Sequence, residues 1–383
     1  MAEGHGKLPG PILCVVGARP NFMKMAPILR AFAAHVPPMP ALLVHTGQHY
    51  DRDMSDRLFD DLRLPQPDIN LEVGSGSHAV QTAEVMKRFE PVIDERGPSA
   101  VLVVGDVNST LACTLVAVKK GVPVVHVEAG LRSYDRKMPE EINRVLTDQV
   151  ADRLYTTERS AEANLLREGI AAERVCFVGN VMIDSLLDNK AQARAATATL
   201  LQHGLDPALL AHPSGYGVVT LHRPSNVDDP ATLTALLNVL AEVAAQMPLV
   251  FVLHPRTRAN LDRFGLSGLL DPRRVAILPP QGYLEMLGLM APAALVLTDS
   301  GGLQEETTAL GIPCLTMREN TERPITVEQG TNTMVGRDRA AILQGVSDIL
   351  AGRGKRGRVP ELWDGRAAER IVDDLSRWIP RPR

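Results

Sequence analysis

No stretch of this chain approaches the roughly 18 consecutive apolar residues that a membrane-spanning helix needs. The opening MAEGHGKLPG is polar and runs straight into an apolar segment, so no signal peptide is expected. Cysteine is scarce: Cys14, Cys113, Cys176 and Cys314 are scattered, three of them inside apolar runs, with no CxxC or Cys/His cluster. The reading is reduced core thiols in a cytoplasmic protein without a metal site. Neither sign of charge dominates. A formal net charge of −4 over 383 residues speaks against a nucleic-acid or membrane-surface protein. Any anionic ligand must then be held by local cations and helix ends. Internal repeats and low-complexity tracts are lacking too.

What is present is a globular composition, 45% hydrophobic and 22% charged, on a length suited to about two domains. Eleven short apolar runs, most followed by a helix-length segment, predict parallel α/β layering. Six runs (ILCVVG, ALLVHTG, VLVVGD, PVVHVE, RLYTT, VCFVGN) precede a polar, alanine-rich stretch from about Leu186 to Ser214, and five follow it. The expected division is one Rossmann-like domain from residues 1–185 plus 365–383 and a second from 186–364. The final segment, Gly365 to Trp378, reads as a helix packing back on the first domain. Two such domains facing across a cleft would place ligands between their strand-crest edges.

Within the first domain, VLVVGDVNSTLACTLVAVKKGVPVVHVEAGLRSYDRKMPEEINR reads as strand, helix, strand, loop, helix. The crossover makes the strands parallel, so Asp106 and Glu128 leave the sheet at the same carboxyl edge. Asn108 and Ser109 are available to cap the helix that follows, which would leave Asp106 free. Glu128 has nothing to cap. Glu140 and Arg144, four residues apart, should share a face of a helix starting near Pro139, and one of the adjacent Glu140 and Glu141 is an ordinary first-turn acid. Carboxylates gathered at a crest stabilise a fold poorly, since burial and repulsion penalise them. They transfer protons well.

The remaining motifs sit at other strand exits. GARPNFMKMAP lacks the spacing of a phosphate-binding loop or a dinucleotide fingerprint, yet Arg19 and Lys24 are placed to grip an anion at a helix start, unless the motif is a surface turn with a solvated lysine. GSGSH at Gly74 reads as a loop. TGQHYDRDM supplies Gln48 and His49. TLHRPSNV puts His222 and Arg223 at an exit in the second domain, and FVLHPRTR repeats the arrangement with solvated Arg256 and Arg258. In LVLTDSGGLQEE a buried strand ends at Asp299, and Ser300-Gly301-Gly302 opens a helix whose bare N–H groups suit a pyrophosphate, with Glu306 one turn on. MRENTERP brings Arg318 and Arg323, which otherwise pair with neighbouring glutamates.

Taken together, GARPNFMKMAPI, GDVNSTL, HVEAGLRS, MPEEINR, TLHR, TDSGGLQEE and TERP, in that order over nearly the whole chain, resemble the non-hydrolysing UDP-N-acetylglucosamine 2-epimerases. The resemblance implies a glycosyltransferase-B-like fold, a UDP-sugar substrate, no metal or nicotinamide cofactor, and usually a homodimer. It implies Asp106, Glu128 and Glu140 as acid/base groups and His222 as an aid to UDP departure, with Arg19, Lys24 and Arg144. It further implies Ser300, Gly301, Gly302, Glu306 and Arg323 for pyrophosphate and ribose and Gln281 and the Met286 backbone for uracil, with Gln48 and His49 also among the substrate-binding residues. Substrate-activated relatives carry HRRE where this chain has His222-Arg223-Pro224-Ser225, a second Gln at the position of Asp51, and Arg at the position of Val80. Those departures count against an auxiliary activator site. Rival readings are a hydrolysing epimerase, an epimerase of a 2,3-diacetamido uronic acid nucleotide, a retaining glycosyltransferase, and a nucleotide-sugar-binding regulator; the acid cluster disfavours the last two.

Overall fold

Strands that are apolar at every position must be covered on both faces, and the chain meets this by laying helices over two wholly parallel sheets. The computed structural model describes residues 10–47, 59 and 61–379. It divides into two units, residues 1–188 with 361–383 and residues 189–360. The first unit holds β1 (Ile12–Val16), β2 (Ala41–His45), β3 (Ile69–Asn70), β4 (Ala100–Val104), β5 (Val124–Ala129), β6 (Arg153–Thr156) and β7 (Val175–Phe177), in the order β3-β2-β1-β4-β5-β6-β7. The second holds β8 (Gly217–Thr220), β9 (Leu249–Val252), β10 (Val275–Leu278), β11 (Leu295–Thr298), β12 (Cys314–Thr316) and β13 (Asn332–Met334), in the order β10-β9-β8-β11-β12-β13. Both are Rossmann-like. Each order reverses once, at β1/β4 and at β8/β11, and the crest beside such a reversal is where open α/β sheets bind ligands.

All eleven apolar runs became strands. The two strands that sequence patterning did not reveal, β3 and β13, are two and three residues long and lie at sheet edges, too short and too polar to register as apolar runs. The helices Asn108–Lys119, Pro139–Val150 and Ala367–Trp378 fall where they were expected, within two residues. The alanine-rich stretch after Leu186 is largely helical, with Ala196–Gln202 and two short 3-10 turns. In the first unit, Phe89, Val92 and Ile93 from the helix His78–Arg96 and Cys113 and Val116 from Asn108–Lys119 pack on Leu13, Val101 and Val103. Cys14, Cys113 and Cys314 are free and buried, and burial raises each thiol's pKa. Among the described residues no helix is long and apolar enough to cross a membrane.

Two carboxylates tie the terminal helix to the rest of the first unit. Asp184 accepts hydrogen bonds from the N–H groups of Ala367 (3.1 Å) and Ala368 (2.7 Å), the open first turn of Ala367–Trp378. Asp374 on that helix takes Arg153 and the Tyr155 hydroxyl. Burial lifts Asp184 to about 6, although the two N–H donors pull the other way. Its folded-state pKa therefore exceeds its unfolded one, so ionisation opposes folding. The stability this proton supplies is complete below the unfolded value and lost as pH rises through the folded one. We predict that, in urea titrations, wild type loses on the order of 3 kcal/mol relative to Asp184→Asn between roughly pH 4 and 6. A constant difference across that window would contradict the assignment.

Candidate active site

The exit of β1 is organised by an asparagine. The Asn21 side chain accepts from the N–H groups of Gly17 (3.2 Å) and Ala18 (3.0 Å) and donates to the Val104 carbonyl (3.0 Å). This ties the ends of β1 and β4 together, and it uses N–H groups that an anion at this helix start would need. Gly17 is obligatory in that spot, since a Cβ would lie 2.2 Å from Ser109 Oγ. Lys24 is neither solvated nor open to an anion. It is buried and ion-paired with Glu128, also buried. Gly105 leaves room for the ammonium: a Cβ there would stand 3.1 Å from Lys24 Nζ, and its φ of +66° suits glycine.

Glu128 is set apart by its backbone. Its φ is +70°, and the β5–β6 register slips between Val127 and Ala129, so Glu128 is the extra residue of a bulge. A non-glycine residue in the left-handed region costs about 1–2 kcal/mol, and such strain concentrates at functional sites. The β4–β5 register pairs Val104 with Val127, which brings Glu128 level with the turn at Gly105 and Asp106.

Asp106 is not the free acid that capping by Asn108 and Ser109 would have left. The helix Asn108–Lys119 has no side-chain cap, because Val107 occupies the N-cap position and Asn108 and Ser109, already inside the helix, are bonded laterally. Asn108 donates to Gln81 (2.8 Å) and accepts from Asn143 (3.3 Å), and Ser109 bonds Thr46 (2.7 Å). Asp106 instead pairs with the buried guanidinium of Arg144, whose other arm holds Glu141 at 2.7 Å. Arg144 thus pairs with Asp106 and Glu141. Glu141 also accepts from Ser133 and Tyr134 N–H groups, so it is the structural member of the adjacent pair. Glu140 is half-buried at the first turn of the helix Pro139–Val150. Gln48, His49 and Asp51 lie outside the described residues; Arg19 is the first residue of its helix.

In the second unit the hub is Asp299, fully buried at the end of β11. It accepts from the backbone N–H groups of His222 and Arg223 (3.0 and 2.9 Å), from Asn226 (3.0 Å), and from His222 Nδ1 (2.9 Å). Burial alone would raise its pKa, but the His222 ring and these donors bring it below the usual carboxylate range. Nδ1 of His222 is thereby committed, and Nε2 is the ring nitrogen left to meet a ligand. Sequence reasoning singled out His222 and missed its partner; the one clue was an acid closing the neighbouring apolar run.

Ser300 forms the N-cap of the helix Gly301–Leu310 but supplies no side-chain cap, so the first-turn N–H groups face outward uncapped. Arg223, Arg318 and Arg323 converge beside it. Arg318 pairs with Glu322 (2.9 Å), Arg323 with Glu305 (2.8 Å), and Arg223 approaches Glu322 at 3.5 Å. Burial would raise the Glu322 pKa, but the three guanidinium groups push it far down. A Cβ on Gly301 would lie 2.6 Å from Glu322 Oε1, so this glycine is needed for packing as well. Glu306 is buried one turn on. Gln281 is buried and bonds the Pro279 carbonyl (2.8 Å), and Met286 donates its N–H to Gly282 within a helix. Arg256 and Arg258 are exposed, Arg256 against Asp228. Among the described residues no group of three or more His, Cys, Asp or Glu side chains could hold a metal ion.

Two Rossmann-like units, one with a carboxylate cluster at its crest and the other with an uncapped helix start beside a His–Asp pair, put the chain in the glycosyltransferase-B-like fold class. Comparison narrows the class. A family model described as UDP-N-acetylglucosamine 2-epimerase matches residues 34–376. The chain is 39% identical to the UDP-N-acetylglucosamine 2-epimerase of Methanocaldococcus jannaschii over 94% of its own length and 98% of that protein. It is 40% identical to the UDP-2,3-diacetamido-2,3-dideoxy-D-glucuronate 2-epimerase of Pseudomonas aeruginosa, over 96% and 99%. The M. jannaschii enzyme solved with UDP-GlcNAc and UDP superposes with a TM-score of 0.82 at 38% identity, covering 96% of this chain and 99% of that one. The Neisseria meningitidis enzyme bound to UDP-GlcNAc gives 0.83 at 28%, covering 96% and 100%. The chain belongs to the UDP-N-acetylglucosamine 2-epimerase family, and it is an isomerase.

The Lys24–Glu128 pair can be tested directly. Removing one member of a buried ion pair strands the other, so Lys24→Met should lower unfolding free energy by about 3–5 kcal/mol in denaturant titrations. A loss under about 1 kcal/mol would mean that water reaches Glu128 in the folded protein.

Proposed function

We propose that this enzyme interconverts UDP-N-acetylglucosamine and UDP-N-acetylmannosamine in the cytoplasm, without releasing the free sugar. The reading is carried by Glu128, a buried carboxylate set on a strained bulge beside the Asp106–Arg144 pair. The C2 hydrogen of the sugar is not adjacent to a carbonyl, so enolisation is closed to it. The available route is elimination. A carboxylate takes the C2 proton, the C2–H electron pair forms the C1–C2 double bond, and the C1–O bond breaks with its electrons leaving on UDP. The intermediate is a 2-acetamidoglucal. Protonation at C2 from the opposite face and attack of the UDP oxygen at C1 restore the nucleotide sugar in inverted form.

Two faces require acid/base groups on both sides, and Asp106, Glu128 and Glu140 are the three that the first unit offers. Lys24 holds Glu128 in place, and Arg144 holds Asp106. In the second unit, the Ser300 hydroxyl and the N–H groups of Gly301 and Gly302 receive the pyrophosphate, with Arg323 as cationic support. His222 offers Nε2 to the departing oxygen while Asp299 holds Nδ1. Glu306 takes ribose hydroxyls, and Gln281 and Met286 border the base.

A second substrate has a specific observation behind it. At 40% identity the P. aeruginosa diacetamido-uronate epimerase is as similar as the epimerases of UDP-N-acetylglucosamine, and the elimination chemistry serves both sugars. Incubation in D2O with each nucleotide sugar separates the possibilities. Deuterium should appear at C2 of both UDP-N-acetylglucosamine and its epimer, with the nucleotide still attached. Exchange with the diacetamido uronate alone would reassign the substrate, and accumulation of free N-acetylmannosamine would identify a hydrolase. Glu128→Gln should lower exchange by at least about 10²-fold while UDP affinity changes little. Normal exchange by that variant would remove Glu128 from the chemistry.

A further inference from the structure

The proton-transfer scheme leaves a buried histidine beside the bulge unused. His126 lies on β5, two residues before Glu128, and is fully buried. Its ring is bonded at both nitrogens. Nε2 lies 2.8 Å from the carbonyl oxygen of Gly105, and Nδ1 lies 2.7 Å from Asp148 Oδ1. A carbonyl oxygen can only accept, so Nε2 carries hydrogen. Asp148 is itself buried on the helix Pro139–Val150, and its second oxygen accepts from Gly130 N–H (3.1 Å) and from the Arg132 guanidinium (2.7 Å). With that oxygen filled by two donors, Oδ1 is left to accept, which assigns hydrogen to Nδ1 as well. Arg132 is balanced in turn by Glu168 at 2.6 Å.

We propose that His126 is a positioning residue, a buried imidazolium that sets where the two acids at the crest stand relative to each other. Each bond ends beside an acid-bearing segment. The Gly105 carbonyl is the residue before Asp106. Asp148 grips Gly130, two residues after Glu128, so His126 and Asp148 together clasp the bulge from both sides. Asp148 also belongs to the helix that carries Glu140 and Arg144. A neutral imidazole would turn a lone pair toward one of two acceptors and release either the Asp106 turn or the helix. The imidazolium closes both bonds. Its charge is compensated locally, with His126 and Arg132 set against Asp148 and Glu168.

This role rests on Asp106, Glu128 and Glu140 as the proton-transfer groups, so the test has one arm that is independent of activity. With 15N-labelled histidine, the wild-type enzyme at neutral pH should show one imidazole with both nitrogens protonated, lost in His126→Gln; an ordinary histidine would be mainly neutral there. Only a neutral tautomer for this residue overturns the imidazolium. In the second arm, His126→Gln and Asp148→Asn should each lower kcat for C2 exchange by about 10²-fold, as expected for a misplacement near 1 Å, with KM and UDP affinity within about threefold. Melting curves identify any variant that has unfolded; the other variant then decides. Wild-type kcat in a folded variant, or a loss confined to KM, overturns the positioning role. If wild type itself exchanges no C2 hydrogen, the substrate reading has failed and the labelled-histidine result still stands.

Discussion

The crest of the first unit depends on one buried ion pair, Lys24 with Glu128. Two charges taken out of water need each other, since either one alone would be an uncompensated charge in a low-dielectric interior. The pair explains several neighbouring features at once. Gly105 is glycine because an ammonium occupies the space above it. Asn21 braces the turn from which the helix bearing Lys24 starts. The β5 bulge turns Glu128 toward that lysine at the cost of a left-handed backbone. Geometry and charge here are mutually dependent, which keeps the carboxylate in one place.

Asp299 does comparable work in the second unit with a different device. One carboxylate collects two backbone N–H groups, an amide and an imidazole, so it defines the exit loop of β8 and the orientation of His222 together. Close by, three arginines and two buried glutamates surround the start of the helix Gly301–Leu310. A helix end built this way keeps its N–H groups uncapped without losing stability, because neighbouring ion pairs fix the loop that a cap would otherwise fix.

Much of this was legible in the chain. Apolar runs with no alternation meant strands covered on both faces, and eleven of them marked two parallel sheets. Glu128 stood out as an acid with nothing to cap, and TDSGG as a helix start able to take an anion. Other features were hidden for physical reasons. Asn108 looked like a cap because local spacing allows one, but the helix starts at Asn108 itself with Val107 at the cap position, and Asn108 bonds Gln81 and Asn143 on distant helices. Glu140 and Arg144 had the right spacing to share a helix face, yet Asp106 and Glu141 offered Arg144 two carboxylates in a buried position.

Local patterning by itself determined the elements, their parallel arrangement and the residue types at each strand exit, because hydrophobic periodicity and crossover handedness act over short stretches. Which acid meets which cation was decided only by tertiary structure. Register across β4, β5 and β6 brings Lys24, Glu128, Asp106, His126 and Asp148 to one place from four separate segments. The partner of a buried charge is whichever opposite charge folding delivers to it, and no spacing along the chain encodes that choice. The left-handed backbone at Glu128 belongs to the same category: it is a product of strand pairing that no residue type announces.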